Sequence, residues 1–394
     1  MKIKMYPAEN GDAFLICSSD TNILIDGGYA KTFDKHIKQD LDNLASKGNI
    51  LDLVIVTHID ADHIGGIIRL LLLNESKILS KVISIKKVWH NSLRSLSLPN
   101  SSEISQESLE ILKSFIRRGH PKNLIAETEQ VEEISARQGS TLATLINKGR
   151  YCWNEKHGLK NICVEENSYT SLPNGSIKVI TPTKLRLQEL LHSWKKELKR
   201  YGLTESVTSN TIVDDAFELS LEHRQEENTK LPELTSSGQN IKLEDIYSPD
   251  ESKTNGSSIA TIIELDGVRV LMLADAWAED IIVELNAMKA QGDNLEFDAI
   301  KISHHGSIHN TSPELLKLID APAFFISTNG SGNHNHPDLE PLCAIVDREA
   351  NFMRTIYFNY STSASRKLKN YQTTTGATFT VVENATNWIN IKKD

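Results

Sequence analysis

The 394-residue sequence predicts an α/β protein in which two mixed β-sheets face one another with helices on the outside. Three observations carry this expectation. Short apolar runs with strand-like composition fill both ends of the chain, among them Leu51–Val56 and Val270–Leu273. Helically spaced segments separate them, as in Phe33–Lys47, where Ile37, Leu41 and Leu44 share a face. The middle of the chain interrupts that alternation with amphipathic helices and a long polar stretch.

In the first half, Lys2–Met5, Phe14–Cys17 and Asn22–Asp26 read as a meander ending in the Gly27-Gly28 turn. The strand Leu51–Thr57, a helix from about Gly65 to Asn74 and the strand Val82–Trp89 follow. Ser101–Arg118 and Gln130–Asn147 have helical spacing, and Tyr151–Val164 connects them to the strand Ile177–Thr181 and the helix Leu185–Tyr201. Residues 203–256 are rich in Glu, Ser, Asn and Thr and contain Pro232 and Pro249, so they read as a polar, mobile loop. The hairpin Ser258–Leu265 and Val268–Ala274 closes on Asp266-Gly267, a type I′ turn signal. Phe297–Ser303, a helix at Pro313–Ile319 and the strand Ala323–Ser327 come next. Arg354–Asn359, Ala377–Val382 and Asn387–Ile391 are expected to close the second sheet. The domain plan is therefore a core first half at 1–91, a helical insertion at 92–173, a core strand and helix at 174–202, the loop at 203–256 and a core second half at 257–394.

An apolar content of 39% suffices for a sizeable core, and no apolar run approaches the ~18 residues that span a bilayer. The N-terminal residues carry no apolar signal-like region, and Cys17, Cys152, Cys163 and Cys343 are scattered without paired spacing. A soluble cytoplasmic protein with reduced thiols and no membrane association is expected. The net charge of −9 argues against broad adhesion to nucleic acid, although bound divalent cations reverse the sign locally. Lys81, Lys86 and Lys87, and later Lys195, Lys196, Lys199 and Arg200, form basic clusters that read first as solvated faces and second as phosphate contacts.

The chemistry is concentrated in residues 58–66, His-Ile-Asp-Ala-Asp-His-Ile-Gly-Gly, directly behind a buried strand. Four metal-capable side chains in six positions at a rigid edge point to a metal site rather than to a polar turn with chance histidines. Alternation sends His58 and Asp60 to one ion and Asp62 and His63 to a second, roughly 3.5–4 Å away. Asp275 leaves another buried strand, as either a metal ligand or the cap of a helix beginning near Ala276. His304 and His305 end a third strand, and alternation argues against both facing one metal. His334 and His336 lie in the Gly/Asn-rich segment Asn329–Pro337.

This motif resembles the signature loop of the metallo-β-lactamase superfamily in its His-x-Asp-x-Asp-His variant, with Asp60 where the commoner form has histidine. With Gly65-Gly66 following, it resembles the nuclease-like domain of the ComEC/Rec2 DNA-uptake proteins and their free-standing relatives. Gly11–Ile16, Ile23–Gly28, Val270–Asp275, Lys301–Ser307 and the Asn333–Pro337 segment resemble further family elements in the same order. Ala274 departs from the usual glycine and is expected to be tolerated if its backbone is extended.

The resemblance implies an αββα sandwich and two divalent ions, zinc or manganese with magnesium as a further candidate. It implies His58, Asp60 and His90 on one ion, Asp62, His63 and His305 (or His304) on the other, and Asp275 bridging. The alternative for His90 is a structural residue capping its strand. A shared hydroxide would attack phosphorus, with Asp62 or a nearby histidine handling the proton. His336 is expected to contact phosphate or protonate the leaving oxygen, and Ser307, Asn329 and His334 are weaker substrate-contact candidates.

The expected activity is that of a phosphodiesterase or nuclease acting on DNA, RNA or a cyclic nucleotide. An effector role in bacterial phage defence follows by family analogy. The alternatives are a hydrolase of small esters, lactones or thioesters, and a regulatory metal-binding subunit that meets a protein partner through residues 92–256.

Overall fold

The computed structural model describes residues 1–96, 105–119, 141–203, 211–222, 242–331 and 336–392. Two sheets form the frame. The first has six strands, β1 (Lys2–Met5), β2 (Phe14–Cys17), β3 (Asn22–Ile25), β4 (Leu53–Ile55), β5 (Val88–Trp89) and β14 (Ile389–Asn390), in the order β14-β1-β2-β3-β4-β5. The second has eight: β6 (Tyr169–Leu172), β7 (Gly175–Thr181), β8 (Ala260–Leu265), β9 (Val268–Met272), β10 (Ala299–Lys301), β11 (Ala323–Ile326), β12 (Arg354–Phe358) and β13 (Phe379–Val382). They lie in reverse chain order from β13 to β6. Strands β9 to β13 run parallel, as do β3, β4 and β5.

The period-2 alternation of the strands builds three apolar layers. Phe14, Ile16, Ile23, Ile25, Leu53 and Ile55 face Ile177, Val179, Ile263, Val270 and Phe325 between the sheets. Their sequence neighbours Leu15, Leu24 and Val54 point outward onto helices carrying Phe33, Ile37, Leu41, Ile64 and Ile67. On the far side, Leu271, Ile300, Phe324 and Ile356 pack against Ile281, Leu285, Leu315 and Ile345. The mixed α/β sandwich is therefore as expected. The Asp266-Gly267 turn has positive φ at both residues, 52° and 76°, as a type I′ hairpin requires.

Four expectations need correction. The helix after β4 spans Ala61–Asn74, starting four residues earlier than expected because Asp60 Oδ1 accepts from Ala61 N (2.7 Å) and caps it. The strand read at Val82–Trp89 shrinks to Val88–Trp89, with Ile85 making only an isolated bridge to Leu51. Strand β14 pairs with β1 and so extends the first sheet, not the second. Within 203–256, Thr211–Glu222 is a helix that buries Val213, Ala216, Phe217 and Leu221. Of the two helices read in the insertion, Gln106–Gly119 and Leu142–Lys148 are described, and the remainder lies outside the described residues.

Candidate metal centre

The C-terminal ends of β3, β4, β9 and β10 deliver Asp26, His58, Asp275 and the His304-His305 pair to one edge of the sandwich. Close backbone approach makes this edge compact. A Cβ on Gly11 would lie 1.9 Å from Asp62 O, and one on Gly66 would lie 2.0 Å from Gly27 O. Only glycine lets both loops lie on the start of the Ala61–Asn74 helix.

Asp275 Oδ2 is the centre of the cluster. It lies 3.4 Å from His63 Nε2, 3.5 Å from His305 Nε2 and 3.9 Å from both His58 Nε2 and His304 Nε2. Asp62 Oδ1 stands 3.9 Å from His63 Nε2. The donor atoms of His58, His63 and Asp275 lie within 4.8 Å of one another, as do those of Asp62, His63 and His305.

Every histidine in this cluster has its other ring nitrogen fixed. His63 Nδ1 donates to Asp26 Oδ2 (2.9 Å) and His305 Nδ1 to Ser327 O (2.8 Å). Thr57 Oγ1 gives its proton to Asp26 Oδ2 (2.7 Å) and so accepts from His58 Nδ1 (3.0 Å). His304 Nδ1 donates to Asn310 Oδ1 (2.9 Å). Nδ1 carries a proton in all four, so Nε2 is the nitrogen left to face the centre. His58 Nε2 and His63 Nε2 are buried without a hydrogen-bond partner, an arrangement costly in a core and fitted to a divalent cation with nitrogen and oxygen ligands.

The electrostatics agree. Burial alone would lower His305, yet Asp275 and Asp12 raise it to about 10. His63 is likewise raised, against burial, by Asp275, Asp26 and Asp62. His58 is held well below its ordinary value by burial and then by His63. Such a site attracts protons, and for the same reason it attracts a divalent cation.

Four contributors escaped sequence reasoning. Lys301 Nζ, fully buried, donates to the Asp12 carboxylate and to Ala274 O (2.9 Å) and stands 3.6 Å from Asp275 Oδ1. Burial would lower Lys301, but Asp12 and Asp275 raise it, so it remains a cation. It draws Asp275 Oδ1 away from the histidines and leaves Oδ2 for them. Asp26 orients two of the histidines, and Asn10 Nδ2 donates to Asp62 Oδ2 (2.8 Å). The available signal was a charged residue inside or ending an apolar strand, as at Asp12, Asp26 and Lys301.

Other expected site residues stand elsewhere. Asp60 caps its helix and is in none of the donor groups above, yet it stands close to the cluster: burial and then Asp62 raise its carboxyl, His63 lowers it and Asp275 raises it. His90 is not brought into the cluster, because its Nε2 meets Glu218 Oε1 at 2.7 Å in the interior. Ser307 is buried, and its hydroxyl accepts from His309 N (3.2 Å). Asn329 Oδ1 accepts from Ser331 N (2.9 Å) and holds its own loop. His336 does approach, with its ring 5.0 Å from that of His304 and Nδ1 3.3 Å from Asp338 Oδ2. Burial pulls it down to about 4, with Asp338 opposing. His334 lies outside the described residues.

His304 and His305 adopt left-handed backbone, φ 43° and 55°, rather than strand geometry, and both Nε2 atoms stand within 3.9 Å of Asp275 Oδ2. Ala274 is left-handed too, φ 49°, so the extended backbone on which its tolerance was conditioned is not what it adopts.

With this geometry established, the comparisons with known proteins are specific. Residues 6–138 match the model described as the metallo-beta-lactamase superfamily. That match covers less than half of the chain and marks a similarity over its first third. The matched stretch ends well before Asp275, His304 and His305, which the fold returns to the same edge. The chain is 24% identical to ComE operon protein 3 of Bacillus subtilis over 107 residues, 27% of this chain. It spans 13% of the length of that relative. Zn(2+)-bound PqqB from Methylobacterium extorquens is 10% identical, covers 99% of this chain and 100% of its own and superposes with a TM-score of 0.36, too slight a likeness to bear on fold or function. A domain of this superfamily implies metal-dependent hydrolysis. Among the described residues, no helix is long and apolar enough to cross a membrane.

Proposed function

We propose that the protein is a phosphodiesterase dependent on two divalent ions, and specifically a nuclease acting on DNA. RNA and cyclic nucleotides are the other substrates of the same chemistry. The observation that carries this reading is the convergence of four histidine Nε2 atoms on Asp275 Oδ2 with Asp62 alongside. His58 and His304 would hold one ion, Asp62, His63 and His305 the other, and Asp275 both. Bound there, two divalent ions supply Lewis-acid stabilisation of the charge developing on phosphoryl oxygens and activate a water.

The chain's own groups do the rest. Asp26 and Thr57 keep His58 and His63 in the ligating tautomer. Asn10 holds Asp62 Oδ2, so Oδ1 faces the cluster and accepts the proton of the attacking water. His336, neutral at pH 7, is placed beside His304 to bond a substrate oxygen. Phosphodiesters are favoured over small esters by the resemblance of residues 58–66 to the ComEC/Rec2 nuclease-like domain and by the local similarity to ComE operon protein 3. A cytoplasmic effector role in phage defence belongs to the same reading.

The test is cleavage of labelled single- and double-stranded DNA with manganese, magnesium or zinc, against a chelator control and the Asp62→Ala variant. Metal-dependent cutting by the wild type alone supports the reading. No cutting of either form by the metal-loaded protein would move the substrate to cyclic nucleotides or small esters.

A further inference from the structure

The chain re-enters the second sheet through a strap, residues 247–257, laid against the outside of the two loops that carry Asp275 and His304. It is tied down at several points. His309 Nδ1 donates to Ser248 O (2.8 Å), Asp250 N to His309 O (3.1 Å) and Trp277 Nε1 to Ser252 O (3.1 Å). Lys253 sits 4.7 Å over the Trp277 ring, and Gly256 lies flat against it, where a Cβ would come within 2.9 Å. These contacts alone describe a tethered loop.

Asp250 reaches further. Its Oδ2 accepts from Asn255 Nδ2 and from Asn310 Nδ2, both at 2.9 Å, and its Oδ1 accepts from Ser252 N at 2.8 Å. An amide whose nitrogen faces a carboxylate turns its oxygen the other way. Asn310 Oδ1 accordingly lies 2.9 Å from His304 Nδ1. The carbonyls of Asp275 and Ala276, 3.2 and 3.3 Å from Asn310 Nδ2, favour the same orientation. Asn255 Nδ2 lies 3.5 Å from His304 Nδ1 but is engaged by Asp250 Oδ2 at 2.9 Å, so the shorter contact to Asn310 Oδ1 sets the tautomer, with the proton on His304 Nδ1 and Nε2 facing Asp275 Oδ2.

We propose that Asp250, acting through Asn310, is a positioning residue that locks His304 as an Nε2 ligand, so that the strap sets how tightly one of the two ions is held. This rests on the metal reading given above. Without the carboxylate, the Asn310 amide can turn over and offer its NH2 to His304 Nδ1. The ring proton then moves to Nε2, and the lone pair facing the centre is lost. Losing a partner of this kind weakens a metal site about 10–100-fold.

The experiment titrates the metal-free full chain with Zn²⁺ or Co²⁺ by calorimetry and follows the His304 ring nitrogens by NMR. Wild type should take up two equivalents. In Asp250→Ala one equivalent weakens about 10–100-fold, the other stays unchanged, and His304 shifts toward the Nε2-protonated form. Asp250→Asn, which keeps an acceptor oxygen, recovers most of the affinity. Asn310→Leu removes the acceptor while leaving the strap intact, so it reproduces the loss even if Asp250→Ala folds poorly. In a His304→Ala background, Asn310→Leu produces no further loss. Unchanged affinity and tautomer in Asn310→Leu, or losses that add to that of His304→Ala, would overturn the proposal. A wild-type chain that binds no ion would instead overturn the metal reading, and the strap's role with it.

Discussion

The sheet edge and the space behind β5 both bury histidines against carboxylates, and they use the imidazole in different ways. At the sheet edge, His58, His63, His304 and His305 each bond through Nδ1 and leave Nε2 facing Asp275 Oδ2. Behind β5, His90 turns Nε2 itself to Glu218 Oε1. Glu218 also accepts from Ala143 N (3.0 Å), while Trp153 Nε1 and Asn154 Nδ2 both donate to His90 O at 2.8 and 3.0 Å. His90 is therefore a tie between the core strand and the segments inserted after it. What separates the two places is convergence: at the edge four imidazoles gather on one carboxylate oxygen, whereas His90 meets Glu218 as a single pair.

The contrast can be broken most forcefully at its two centres. Asp275→Ala removes the oxygen on which four histidines converge, and several kcal/mol of charge stabilisation go with it, so cleavage should fall about a thousandfold or more. His90→Gln should leave metal content and turnover per folded molecule unchanged. Equal loss of metal from the two variants would erase the distinction. Glu218→Ala strips a buried partner from His90 and should cost about 3–5 kcal/mol in chemical denaturation without lowering metal stoichiometry. The sign of its pH dependence follows from the same pair. Burial would raise the Glu218 carboxyl, but His90 holds it below 4.5. Its contribution is present above pH 4.5 and is lost as the pH falls through the lower folded value, so Glu218→Gln should flatten the acid side of the stability profile.

Smaller effects sharpen the picture on the metal side. Asp26→Ala frees Nδ1 of His63 and the Thr57 hydroxyl together and should weaken metal binding about 10–100-fold, read by calorimetric titration. Ala274→Gly relieves the left-handed residue that aims Asp275 and should raise stability by about 1 kcal/mol with metal content unaltered.

The residues differ in how far the sequence announced them, and the reasons are physical. The strands Phe14–Cys17, Ile23–Ile25 and Leu53–Ile55 were legible as short apolar runs because they are buried on both faces. His58, Asp62 and His63 announced themselves by density in one short segment. Alternation does not describe the segments where the backbone is not a strand: Asp60 caps a helix, and His304 and His305 are left-handed. His90 was assigned by resemblance, and its partner Glu218 lies 128 residues away in a stretch read as a loop. The apolar face of that stretch, Val213, Ala216, Phe217 and Leu221, was diluted by acidic neighbours. Asp12, Asp26 and Lys301 are single charges whose partners only the fold supplies.

The central claim is that this edge holds divalent ions on histidine Nε2 atoms gathered around Asp275. Metal analysis and calorimetric titration of the metal-free chain, beside Asp275→Ala and His90→Gln, test it most directly. The account predicts two equivalents of zinc or manganese in the wild type and in His90→Gln, and loss of tight binding in Asp275→Ala. Tight binding that survives Asp275→Ala, or disappears in a folded His90→Gln, would contradict it.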